Sequence, residues 1–136
     1  MWQEKTISKF TKKMNYVFQI DFCYKMSDNH FSRGIFMTRH VIVWKIKPEY
    51  TEEQKNKIKA DAKRELENLM GQIPGLQKIK ISTKGLKSSN GDMMLDSLFD
   101  TEAALNAYTI HPSHVKVATT FVRPFMETRL CFDFEE

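Results

Sequence analysis

The chain has 136 residues and a mass of 16.0 kDa, room for one ordinary domain and too little for two. Apolar residues make up 41% and charged residues 28%, a globular composition rather than a disordered or fibrous one, and no apolar run approaches the length of a transmembrane helix. The net charge of +4 is uneven: residues 1–36 hold six Lys/Arg against three Asp/Glu, leaving residues 37–136 at only +1, too little to form an electrostatic footprint for nucleic acid.

Residues 1–36 stand apart from the rest. They hold eight of the sixteen aromatic residues and no proline. Residues 3–13 are basic and read as helix or as unstructured chain. No seven-residue apolar core is present near the start, so a secretory signal is not expected. Tyr16, Phe18, Ile20, Phe22 and Tyr24 alternate with Val17, Gln19, Asp21 and Cys23, the period of a strand. The two cysteines, Cys23 and Cys131, allow one bridge at most. Their spacing suggests no metal site, and reduced thiols in the cytoplasm are the default expectation.

From Met37 the signals become regular. His40–Lys47 reads as a strand with His40, Ile42, Trp44 and Ile46 on one face and Val41 and Val43 on the other; Pro48 ends it. Thr51 and Gln54 form a capping box, and Glu52 and Glu53 suit the positive end of a helix. Ile58, Ala62, Leu66, Leu69, Met70 and Ile73 follow at helical spacing, and Gly71 and Pro74-Gly75 close the helix. A second strand is expected over Leu76–Thr83, a glycine- and serine-rich turn over 84–92, and a third strand over Met93–Phe99. Asp100 is the expected cap of a short helix reaching Thr109. His111-Pro112 then opens another, with His111 as cap and Pro112 at its first position, running to about Val122 before Pro124. A last strand, Glu127–Phe134, alternates Leu130, Phe132 and Phe134 with Arg129, Cys131 and Asp133.

This β-α-β-β-α-β order predicts an α+β, ferredoxin-like fold: a four-stranded antiparallel sheet with helices on one face. The first and third strands carry apolar residues on both faces, so the uncovered face should meet a partner. A second copy related by a two-fold axis is the simplest one.

His40-Val41-Ile42-Val43-Trp44-Lys45, Ile73-Pro74-Gly75-Leu76, Tyr108-Thr109-Ile110-His111-Pro112-Ser113-His114 and Arg129-Leu130-Cys131-Phe132-Asp133-Phe134 resemble, in that order, the stress-responsive dimeric α/β-barrel (Dabb) family. The resemblance covers residues 37–136. It implies a homodimer whose two sheets close into a barrel, and most members are described only as stress-responsive. Residues 1–36 have no counterpart in the pattern. They are either an added strand with a basic arm or a segment upstream of a natural start at Met37.

Within the family, polyketide cyclases use a tyrosine and a histidine around H-P-x-H, which match Tyr108 and His114, with pocket positions matching His40 and Asp133. A further cyclase histidine has Met93 in its place here. From their chemistry, the roles expected are His114 as general base, Tyr108 as proton donor to a developing enolate, and Asp133 as orienter of the His114 ring. His40 and His111 complete the candidate pocket, although His111 is more easily explained as a helix cap. The expected pocket lies between sheet and helices and takes a small carbonyl or aromatic compound. A non-catalytic role in stress through the dimer barrel is the competing class.

No metal and no cofactor are expected. The histidines of H-P-x-H are split by proline and lack an adjacent glutamate. The asparagine–tryptophan–histidine set of the related haem-degrading monooxygenases cannot be assembled around Trp44. His30 has no visible partner. The lysines of residues 55–64 alternate with acids and read as a solvated face, while Met70, Met93, Met94 and Met126 read as packing.

Overall fold

The computed structural model describes residues 36–136, and the strand expected over 16–24, Cys23 and His30 lie outside the described residues. Strand β1, Thr38–Ile46, follows the alternation of its sequence: Thr38, His40, Ile42, Trp44 and Ile46 are buried, and Arg39, Val41 and Val43 are half-buried. Helix α1, Glu52–Glu67, starts at the capping box. The Thr51 hydroxyl accepts from the Gln54 amide at 3.2 Å, and the Gln54 side chain accepts from the Thr51 amide at 2.9 Å. It buries Ile58, Ala62 and Leu66 against the sheet. The helix ends at Glu67, earlier than its apolar periodicity suggests. Leu69 and Ile73 reach the core from the following turns, whereas Met70 is exposed rather than packed.

Gly75 closes those turns with φ +80°, a left-handed conformation that costs glycine little. A Cβ there would lie 2.6 Å from the Ala104 Cβ, so the I-P-G-L turn is as close to the next helix as its backbone permits. Strand β2, Leu76–Ser82, and strand β3, Met93–Phe99, follow. The β2 register shifts between Leu76 and Lys78, and that bulge lets Leu76 and Ile81 both reach the core although they are an odd number of residues apart. The Glu67 carboxylate accepts from the Ile81 amide at 2.9 Å and from Lys63 at 2.6 Å, tying α1 to β2.

Helix α2, Glu102–Ile110, is capped by Thr101, whose hydroxyl accepts from the Ala104 amide at 3.1 Å. Asp100, the expected cap, instead accepts from the Gln77 side chain, and its amide bonds the Gly75 carbonyl. Helix α3, Pro112–Val117, is short, and the helical stretch expected to Val122 continues from it without a break but leaves α geometry. The chain passes through one π-helical turn, Ala118–Val122, and a 3-10 turn, Arg123–Phe125, that accommodates Pro124. Strand β4, Met126–Glu135, is the last element.

The four strands form one antiparallel sheet in the order β2-β3-β1-β4, and the helices cover one face, giving the α+β, ferredoxin-like fold. Leu66, Leu69, Leu105, Tyr108 and Val122 meet Ile42, Trp44, Met93, Leu95 and Phe99 in the core. Among the described residues no helix is long and apolar enough to cross a membrane.

Register decides which way β4 faces. Trp44 pairs with Arg129, Ile42 with Cys131 and His40 with Asp133, and directly opposed residues share a face. The polar set of β4 therefore lies on the helix side. Leu130, Phe132 and Phe134 join Val41, Val43 and Met94 on the other side. Leu130 is 64% and Phe132 69% exposed, and the Phe132 and Phe134 rings pack with centroids 5.6 Å apart. Arg39 closes one end of this face, donating to Asp96 at 2.6 Å and to Glu136.

Candidate functional site

The side chains singled out in the sequence converge where β1 meets the α2–α3 corner. His40 is buried on β1, where the Ser97 hydroxyl on β3 donates to its carbonyl at 3.0 Å. Tyr108 comes from the last turn of α2 and is 1% exposed. Its ring lies between those of Phe99, at a centroid distance of 5.0 Å, and His114, at 4.0 Å; His40 approaches it edge-on at 6.2 Å.

His114 is placed by the start of α3. The His111 ring nitrogen Nδ1 accepts from the Ser113 amide at 3.2 Å, and Pro112 occupies the first helical position. One turn on, the His114 ring folds back onto the end of α2, where Nδ1 lies 3.3 Å from the Thr109 carbonyl oxygen. A carbonyl can only accept, so Nδ1 carries the proton and Nε2 holds the basic lone pair.

His40, Tyr108 and His114 line one cavity of about 60 Å³ together with Trp44, Arg123 and Arg129. Asp133 stands behind His40, its carboxylate 2.6 Å from His40 Nδ1. Asp133 does not orient His114, the role expected of it; the Thr109 carbonyl does. His111 is occupied as a helix cap and does not line the cavity. Arg123 and Arg129 carry no local sequence signal for a place in this cavity. Arg129 reaches the helix side only because of the β1–β4 register, and Arg123 follows the π-turn.

Burial sets the electrostatics. It pushes the His114 pKa below the ordinary histidine range, against the Thr109 bond, and Arg123, His40 and Arg129 press the same way. Burial also lowers His40, with Asp133 opposing. It raises Tyr108 well above the ordinary phenol, with Arg129 opposing. At neutral pH the cavity therefore holds neutral imidazoles, a protonated phenol and guanidinium charge at its wall. That arrangement can accept a proton at His114 and donate a hydrogen bond from Tyr108.

The sequence model of the stress responsive A/B barrel domain family, Dabb, matches residues 38–136. No curated protein is similar enough to the chain to be set beside it. Solved structures are. A dimeric protein of unknown function with a ferredoxin-like fold from Bacteroides fragilis is 25% identical, with a TM-score of 0.69 over 74% of this chain and 96% of its own. A Dabb family protein from Mesorhizobium loti, also ferredoxin-like, is 23% identical, with a TM-score of 0.57 over 73% and 95%. A hydroxynitrile lyase from Passiflora edulis is 19% identical, with a TM-score of 0.59 over 75% and 94%. The last two share the fold.

Proposed function

The chain belongs to the stress responsive A/B barrel domain family, and from that premise we propose that it works as a homodimer in which each protomer binds a small carbonyl compound between sheet and helices. His114 accepts a proton from the carbon beside the carbonyl. Tyr108 donates a hydrogen bond to the enolate oxygen that develops. Arg123 and Arg129 favour a ligand that carries, or gains, negative charge. The cavity volume of about 60 Å³ suits a compound of a few heavy atoms.

One observation carries the reading: the bond from His114 Nδ1 to the Thr109 carbonyl leaves Nε2 as a neutral base in a cavity it shares with a protonated phenol. The dimer is supported by the exposed apolar face of β1, β3 and β4 and by the Bacteroides fragilis protein, which is described as dimeric.

A second reading has its own observation. The Tyr108–His114 stack and the Thr109 bond would hold the α2–α3 corner together with no ligand at all, which suits a non-catalytic stress protein. His114→Ala separates the two. Under the first reading the variant melts close to the parent, and small carboxylic and keto acids that shift the parent's melting temperature no longer shift it. Loss of the fold in His114→Ala, with no such acid shifting the parent, supports the second and refutes the first.

A further inference from the structure

Three potential metal donors meet on the helix side of the β1–β4 pair. Their atoms are His40 Nδ1, the Asp133 carboxylate and the Cys131 thiol. Nδ1 lies 2.6 Å from Asp133 Oδ1 and 3.8 Å from Cys131 Sγ, and Sγ lies 3.4 Å from Oδ1. Among the described residues these are the one group of three whose donor atoms fall within 4.8 Å of one another.

The register produces this triangle. Ile42 pairs with Cys131 and His40 with Asp133, so two alternate residues of β4 point to the same face as the His40 ring. A tetrahedral zinc ion with ordinary bond lengths of about 2.0–2.3 Å would separate nitrogen and oxygen by about 3.4 Å and set sulfur about 3.6 Å from each. Both sulfur distances are already within a few tenths of an ångström of that. Only the His40–Asp133 pair must open, by rotation of an exposed carboxylate.

We propose that His40, Cys131 and Asp133 form a three-ligand site for a borderline divalent cation, zinc, with a fourth position open to water. The donor set selects the metal: magnesium and calcium take oxygen ligands, whereas one nitrogen, one sulfur and one oxygen suit zinc. Cys131 and Asp133 are exposed, so the ion can reach them and the fourth position faces solvent. On binding, the thiol releases its proton, and the proton that His40 Nδ1 shares with Asp133 moves to Nε2, freeing the lone pair for the metal. The two strands supplying the ligands are already paired, so the site needs no refolding. The proposal does not rest on the proton-acceptor role of His114, which takes no part in it.

The test uses the full chain with cobalt(II) and zinc as the only added ligands, and repeats it with Cys23→Ser so that Cys131 is the sole thiol. One cobalt per chain is expected, with sulfur-to-metal charge-transfer absorption and tetrahedral d–d bands that zinc abolishes by displacement. Cys131→Ala loses the charge-transfer band. Cys131→Ala and Asp133→Asn each weaken zinc binding by more than about 100-fold, beyond the range usual for residues that only support a ligand. Both substitutions sit at exposed positions, and circular dichroism checks that the fold persists. X-ray absorption on the zinc form is expected to show one sulfur at about 2.3 Å with nitrogen and oxygen at about 2.0–2.2 Å. Absence of cobalt binding, a charge-transfer band that survives Cys131→Ala, or a zinc shell without sulfur would overturn the proposal.

Discussion

Truncating Phe132 to alanine is expected to break the dimer while sparing the protomer. The side chain is 69% exposed on the sheet face opposite the helices, so the protomer's own folding gains little from it. Fully burying a phenylalanine contributes about 1.5–3 kcal/mol. Scaled by the exposed fraction, covering Phe132 with a second sheet contributes about 1–2 kcal/mol. A two-fold axis places the same residue on both sides, so the change acts twice, for about 2–4 kcal/mol per dimer. At 1.4 kcal/mol per tenfold, the dissociation constant rises about 30- to 700-fold. Sedimentation equilibrium over a dilution series reads that constant directly. Circular dichroism melts, taken where both proteins are monomeric, should agree within the small loss of the Phe134 ring contact. A dissociation constant unchanged by Phe132→Ala, or a parent protein monomeric at micromolar concentration, would refute sheet-to-sheet assembly.

Three further outcomes test the fold and the site. Gly75→Ala should destabilise by more than about 1 kcal/mol in urea titration, because it combines a positive φ with a Cβ 2.6 Å from Ala104; pairing it with Ala104→Gly should recover the steric part and leave the backbone part. Thr51→Ala removes the hydroxyl half of the capping box on α1 and should cost about 1 kcal/mol, read as a lower urea midpoint with unchanged slope. The folded-state pKa values of His40 and His114 both lie below the ordinary range. Metal-free protein should therefore keep full stability above about pH 6.5 and lose it as pH falls from there toward the folded values, where unfolding takes up protons. The slope is at most about 1.4 kcal/mol per pH unit for each histidine, with half-exposed His114 contributing less; flat stability between pH 7.5 and 5.5 would contradict the burial of these rings.

Much of the fold can be read from sequence because each element carries a local signal. The Thr51–Gln54 box, the His40–Ile46 alternation and Pro112 after a capping histidine each depend on residues within a turn of one another. The end of α1 could not be read that way, since Leu69 and Ile73 keep the helical period while reaching the core from turns. Nor could the cap of α2: Asp100 and Thr101 are both competent, and long-range bonds from Gln77 and to Gly75 decide between them. Within the site, Tyr108 and His114 lie close in sequence and their rings stack. The partner of Asp133 depends on strand register across 93 residues, so the sequence points it at the nearby His114 when it in fact meets His40. The same register hid Arg129 and placed Cys131 beside His40.

The π-helical turn at Ala118–Val122 bears on how such chains should be compared. A turn of this kind holds more residues than an α-turn, and both Ala118 and Val122 border the cavity. Deleting one residue there would restore α-helical phase and swing everything beyond it by about 100° about the helix axis, carrying Arg123 away from the cavity wall. Part of the cavity's shape is thus stored as a count of residues and not as any side chain. Two relatives with the same H-P-x-H segment and the same last strand can differ in what they bind through a single-residue gap, which a comparison of residue identities would score as trivial.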